Sequence, residues 1–118
     1  MAYFIEKDFV RFEHPEGAAY EQIIADINDL VKNPKLNRRK NFLVDLTTLP
    51  KPLEGEDMRN LAIYLDQVKD RVGPKFAFVV NTAVTYGMIR LLGVHLSSYR
   101  IEARIFENEA DAVEWLNG

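Results

Sequence analysis

Hydrophobic positions along this chain switch repeatedly between a period of about two and a period near 3.6. Tyr3 to Ile5 and Phe9 to Phe12 are short apolar-aromatic runs on either side of Glu6-Lys7-Asp8, and they predict a hairpin or one interrupted strand. Pro15-Glu16-Gly17 then breaks the pattern. Tyr20, Ile23, Ile24, Ile27, Leu30 and Val31 recur at helical spacing, and this helix has to stop near Asn33-Pro34 because a residue before proline avoids the helical region. Phe42–Leu46 and Phe76–Val80 are apolar on both faces, as interior strands covered on both sides are. Between them Met58, Leu61, Ala62, Leu65, Val68 and Val72 form a second helical stripe. Glu54, Glu56 and Asp57 open that helix, and Lys69 and Arg71 lie near its end, in keeping with the macrodipole. Gly73-Pro74 is the expected stop.

Asn81 or Thr82 caps a third helix that runs to about Ser98. Ile101, Ala103 and Ile105 alternate with Glu102 and Arg104 in a last strand (Ile101 to Phe106) with one wet face. Asn108 caps a short final helix bearing Ala112, Val113, Trp115 and Leu116, with Asp111 three residues on as a capping-box analogue. Strands joined through helices favour parallel pairing and right-handed crossovers. The fold class is therefore α/β, with a mixed, mainly parallel four- to five-stranded sheet and four helices in one domain spanning residues 1–118.

Composition narrows the class of function. A length of 118 residues is that of a single domain, and 47% hydrophobic with 28% charged residues is ordinary for a globular protein. No apolar run approaches the ~20 residues of a membrane span, and no secretory leader opens the chain. The expected location is the cytoplasm. The absence of cysteine removes disulfides and thiolate metal sites. A net charge of −3 argues against a general nucleic-acid binder.

Candidate chemistry gathers at two places. Asp45 lies near the carboxyl end of an interior strand, where open α/β sheets bind ligands, and Thr47 and Thr48 follow it. Asp45 either anchors a ligand or partner, or bonds backbone amides of its own turn. Tyr86, Gly87 and Arg90 fall in the first turns of the third helix, where an anion is favoured. Gly87 calls for close packing or ligand access, since glycine inside a helix costs about 1 kcal/mol against alanine. The blander alternative is Gly87 packed on a strand and Arg90 paired with a surface carboxylate.

The third helix is apolar over more than one face. Val84, Met88, Leu91, Leu92 and Leu96 are expected to face the sheet, whereas Tyr86, Ile89, Val94 and Tyr99 fall partly elsewhere. A homodimer through this helix, with Tyr86, Ile89, Leu96 and Tyr99 as contact candidates, is the favoured explanation; a hydrophobic ligand or the neighbouring helices are the others. His14 and His95 have no metal-ligand spacing, so no metal, no cofactor and no catalytic residue is assigned. Lys32, Lys35, Arg38, Arg39 and Lys40 put five basic residues in nine positions. They form either a solvated loop or a surface for anionic headgroups or an acidic partner.

Three stretches together carry a family resemblance. They are Leu43-Val44-Asp45-Leu46, then Tyr86-Gly87-Met88-Ile89-Arg90, then Phe106 followed by Ala112-Val113-Glu114-Trp115-Leu116. In these, and in its element order, the chain resembles the SpoIIAA-like family of small bacterial proteins, related to the STAS domain and distantly to CRAL-TRIO lipid-binding domains. The resemblance implies a β/α superhelix of four or five strands. STAS anti-sigma-factor antagonists carry an Asp-Ser-Ser-Gly-like segment whose serine is phosphorylated, whereas Thr47 to Asp57 here holds no serine, so that switch does not carry over. The resulting expectation is a non-enzymatic binding or regulatory module of STAS-like type. The alternatives are a carrier of a small apolar or lipid-like ligand, and an enzyme using Asp45, Tyr86, Arg90 or His95 in one pocket.

Overall fold

The computed structural model describes residues 3–13, 20–47 and 55–118. Its elements run β1 (Tyr3–Ile5), β2 (Phe9–Glu13), α1 (Tyr20–Lys32), β3 (Lys40–Asp45), α2 (Gly55–Gln67), β4 (Val72–Val79), α3 (Ala83–Ser97), β5 (Glu102–Phe106) and α4 (Glu109–Asn117). The strands lie in the order β1-β2-β3-β4-β5. The first two form an antiparallel hairpin, and β2 through β5 are parallel. The Pro15-Glu16-Gly17 break, His14, Thr48 and Glu54 lie outside the described residues.

Each crossover advances the chain one strand in the same direction. Right-handed connections then put α1, α2 and α3 on one face of the sheet. The buried residues there include Ile23, Ile27 and Leu30 of α1, Met58, Leu61 and Leu65 of α2, and Met88, Leu92 and Leu96 of α3. They close over Val10, Phe12, Phe42, Val44, Phe76 and Phe78 of the sheet. The opposite face carries Phe9, Leu43, Ala77 and Val79, and α4 covers it with Ala112 and Leu116. Two covered faces are why β3 and β4 read as continuous apolar runs.

On the three-helix face the aromatic rings meet one another from strand to strand. Tyr3 and Phe12 have centroids 5.7 Å apart, Phe12 and Phe42 5.1 Å, and Phe42 and Phe76 4.6 Å. Tyr3 also ties the hairpin to α1. Its hydroxyl donates to Asp29 Oδ2 at 2.5 Å and accepts from Asn33 Nδ2 at 3.2 Å. Burial, and then the bonded Asp29 carboxylate, hold the Tyr3 phenol above its ordinary range.

Two sequence expectations are corrected at the start of β4. First, α2 ends at Gln67, and Gly73-Pro74 lies inside a strand that begins at Val72. Lys40 pairs with Val72 but Phe42 with Phe76, so β4 bulges at Gly73-Pro74. Asn41 fills the gap, its Oδ1 accepting the Lys75 N–H at 3.1 Å. Pro74 is tolerated because it precedes the first β5 pairing, Lys75 with Glu102, and so lacks only a donor that the ladder does not call on there. Gly73 is required by close approach: a Cβ there would come within 2.6 Å of the Asn41 backbone nitrogen and 2.7 Å of the Lys40 carbonyl carbon.

Second, the cations expected at the end of α2 lie beyond it. Arg71 serves a different helix, donating from Nε to the Val31 carbonyl at 3.0 Å and from Nη2 to the Leu36 carbonyl at 3.0 Å. Much of the basic run is likewise spent on backbone. Arg38 donates to the Lys7 carbonyl, Arg39 to the Val72 carbonyl and Lys40 to the Glu6 carbonyl, at 2.9, 2.8 and 2.6 Å. Lys32 and Lys35 are exposed. These bonds tie the hairpin turn and the start of β4 to the loop before β3.

Two outcomes follow. Gly73→Ala loses about 1–3 kcal/mol of unfolding free energy in urea titration, the usual range for overpacking, because backbone as well as the Asn41 side chain is in the way; an unchanged midpoint refutes the close approach. For Tyr3, the raised phenol favours the protonated form on folding, so its contribution is complete below the unfolded phenol range (about 10) and is lost as pH rises through the folded value. Tyr3→Phe should remove part of the alkaline fall in stability. An identical fall in the two proteins would contradict this.

Candidate functional site

The carboxyl ends of β3, β4 and β5 open toward the amino ends of α3 and α4. At β3, Asp45 Oδ1 accepts from the Thr47 N–H at 2.9 Å and from Thr47 Oγ1 at 2.6 Å. That is an Asx turn, in which a short carboxylate satisfies the amide two residues on. Asn81 Nδ2 reaches the Thr47 carbonyl at 3.4 Å and ties the turn after β3 to the one after β4. Asp45 and Thr47 thus hold each other and brace the neighbouring loop.

Thr82 caps α3 through Oγ1, which accepts from the Thr85 N–H at 3.1 Å. The cap orients Tyr86 over a shallow cleft lined by Val80, Asn81, Thr82, Ala83 and Glu107. Tyr86 also heads a longer groove between α3 and β5. Arg90, Gly93, Val94 and Ser97 continue it along the helix, and the strand Glu102–Phe106 forms its other wall. α3 passes over the strand at Gly93, where a Cβ would make only ordinary contact with Ala103 Cβ, at 3.7 Å. The fold therefore brings Tyr86 and Arg90 to one groove and keeps Asp45 and Thr47 out of it; neither lines the cleft or the groove.

Gly87 lies outside both recesses. Nothing stands within 4 Å of a Cβ built on it, so neither close packing nor contact with a strand explains the residue.

The faces of α3 also differ from those expected. Thr85, Met88, Ile89, Leu92 and Leu96 are buried. Ile89 and Leu96, expected at a dimer contact, are 2% and 0% exposed, taken up by the protein's own core. Tyr99 is half-buried and packs on that core. Val84 and Leu91, expected to face the sheet, are instead 64% and 44% exposed, and Val94 and Tyr86 are 66% and 46% exposed. The buried row 85-88-89-92-96 leaves Val84, Gly87, Leu91 and Val94 on the solvent side by helical geometry alone.

Beneath α3, a small apolar cavity among Phe12, Phe42, Met58, Phe78, Met88 and Leu92 measures about 40 Å³. That is room for a water molecule or two, whereas pockets for larger ligands run from about 300 Å³ upward. His95 is half-buried near the far end of α3. Among the described residues no group of three or more His, Cys, Asp or Glu is placed to hold a metal ion, and no helix is long and apolar enough to cross a membrane.

No family model, no curated protein and no solved structure matches the chain.

The open setting of Gly87 has a measurable consequence. Gly87→Ala removes unfolded-state freedom and meets no obstruction, so the variant gains about 0.4–1 kcal/mol in denaturant unfolding. A loss of stability would mean that the glycine backbone is in contact after all.

Proposed function

We propose that this chain is a non-enzymatic binding and regulatory module of the STAS-like type, active as a homodimer and docking a protein partner on the outer face of α3. The observation that carries the reading is the exposed apolar stripe Val84, Leu91 and Val94, flanked by Tyr86. Exposed apolar side chains scattered singly are ordinary, but Val84, Leu91 and Val94 share one face of one helix, a patch of the kind that marks interaction sites. Arg90 is the sole charged residue of α3, so a partner helix or loop meets little charge to desolvate there. The SpoIIAA-like resemblance supports the same reading, since it implies a module of STAS-like type, acting through protein contacts. Asp45 supports it as well, because its Oδ1 takes both hydrogen bonds from Thr47 and is committed to its own turn rather than to a substrate.

Leu91→Glu tests the reading directly. The side chain lies outside the core, so the melting temperature should stay within about 2 °C of wild type, as surface substitutions leave stability within about 0.5 kcal/mol. Affinity-tagged wild-type protein should retain a defined partner from its source cell, and Leu91→Glu should lose it by about tenfold or more, the loss of one apolar hot spot. Equal recovery by the two proteins, or recovery of nothing but the chain itself, would sink the proposal.

A further inference from the structure

We infer that β5 is a pairing edge, and that two copies of this chain join antiparallel along it, with Ala103 on the two-fold axis, to make one continuous sheet. The inference rests on the dimer reading above and names where the dimer is built.

The sheet has two edges, and they are not alike. β1 is three residues long, and very short edge strands are one way proteins blunt an edge. β5 is five residues long and carries no proline, no lysine and no bulge; the charges that guard it are one acid and one base, Glu102 and Arg104, which a second copy can neutralise. Among the described residues its outer side is unpaired in the sheet. The Phe106 carbonyl accepts from the Val80 N–H at 3.0 Å and therefore points toward β4. Main-chain groups alternate sides along a strand, so the N–H and C=O of Ala103 and Ile105 point to the open edge.

The sequence of this edge complements itself. Reading outward from Ala103, it runs charged then apolar in both directions, with opposite charges: Glu102 and Ile101 on one side, Arg104 and Ile105 on the other. In an antiparallel pair centred on Ala103, Glu102 lies opposite Arg104 of the second copy and Arg104 opposite its Glu102. Ile105 falls opposite Ile101 of the second copy, whose side chain is 3% exposed and already held in its own core, so the charge pairs carry the register. A two-fold axis makes every such contact twice. The two neighbouring symmetric registers fail: centred on Arg104 the arginines oppose each other, and centred on Glu102 the glutamates do. Opposite charges across strands stabilise, and like charges directly opposite destabilise.

The protomer already holds these side chains in place. The Arg104 guanidinium lies 5.5 Å from the Trp115 ring centroid, on the α4 side of the sheet. Lys75 is beside Glu102 in register, and its ammonium lies 5.2 Å from the same ring. Among the described residues Glu102 has no ion pair. The pairing would seat it between Lys75 and Arg104 of the second copy. On the opposite face, the groove beside α3 ends at this edge, and the small residues Gly93 and Ser97 leave room there for a second α3 flank.

Sedimentation of the whole chain tests the proposal. Wild type should run at twice its 13.6 kDa. Glu102→Arg and Arg104→Glu should each weaken dimerisation by about tenfold or more, because each turns both cross-strand pairs into like-charge pairs. An equimolar mixture of the two should recover dimer, since the two basic side chains on the edge of one variant then face the two acidic side chains on the edge of the other. Recovery also shows that both variants are folded. A wild-type monomer would remove this inference and the dimer reading together. A dimer that withstands both charge reversals but dissociates in Leu91→Glu would keep the dimer, move its contact to α3 and overturn the β5 pairing. Failure of the mixture to recover would overturn the Ala103-centred register.

Discussion

The rings of Tyr3, Phe12, Phe42 and Phe76 touch in sequence across four neighbouring strands, and the rest of the molecule is arranged around that contact. Each pair is worth about 0.5–1.5 kcal/mol beyond the area it buries. Its larger effect is on register. A strand slipped by one residue presents its other face, so a slip in β3 would exchange Phe42 and Val44 for Leu43 and break the ring row at two points. With the row intact, one face belongs to α1, α2 and α3, and the smaller residues Ala77 and Val79 are left for α4. The hairpin joins the same row through Tyr3, whose hydroxyl fixes it to Asp29 and Asn33 of the first helix and its exit.

Most of this architecture is legible in the amino-acid sequence because it rests on periodicity. Phe42–Leu46 and Phe76–Val80 could be read as interior strands, since a strand covered on both faces has no polar position to spare. The caps Thr82 and Asn108 were legible for a similar reason: each offers a short side-chain oxygen immediately before an apolar helical pattern. Gly73-Pro74 misled because the same dipeptide ends a helix or bulges a strand. The difference lies in Asn41, more than thirty residues away, whose side chain replaces the missing ladder bond. Arg71 misled in the same manner. Its proximity to α2 in sequence suggested a local macrodipole partner, but a long guanidinium satisfies whichever carbonyls the tertiary fold leaves open, and those belong to Val31 and Leu36.

The candidate site was less legible, for a reason that α3 makes plain. An amphipathic helix announces its buried face by contrast, and α3 has almost none. With apolar residues at 84, 88, 89, 91, 92, 94 and 96, several faces fit the core equally well by pattern. Packing chose the one through Met88, Ile89, Leu92 and Leu96. What the pattern did establish is that one helix has more apolar surface than its own sheet can cover, and the exposed Val84, Leu91 and Val94 are that surplus. Asp45 shows the opposite limit. A lone carboxylate at a strand end reads equally as an anchor or as a turn former, and only the contacts with Thr47 decide between them.

The strand order accounts for why the surplus lies where it does. Because each crossover moves one strand onward, β5 is the last strand to be added and α3 the last helix on its face, so among the described residues neither has a further strand or helix on its outer side. At the other border β1 folds back as a hairpin and ends the sheet in a three-residue edge, with Phe4 51% exposed on it. The open main-chain groups of β5 and the exposed Tyr86 and Val94 therefore lie along one border of the molecule, with the groove between α3 and β5 running through it. A border of this kind is costly to leave in water, both in aggregation risk and in exposed apolar area. On the proposed reading the two halves of that shortage have different complements: the edge of a second copy, turned by two-fold symmetry, would supply main-chain partners to β5, and the outer face of α3 would be left for the protein partner.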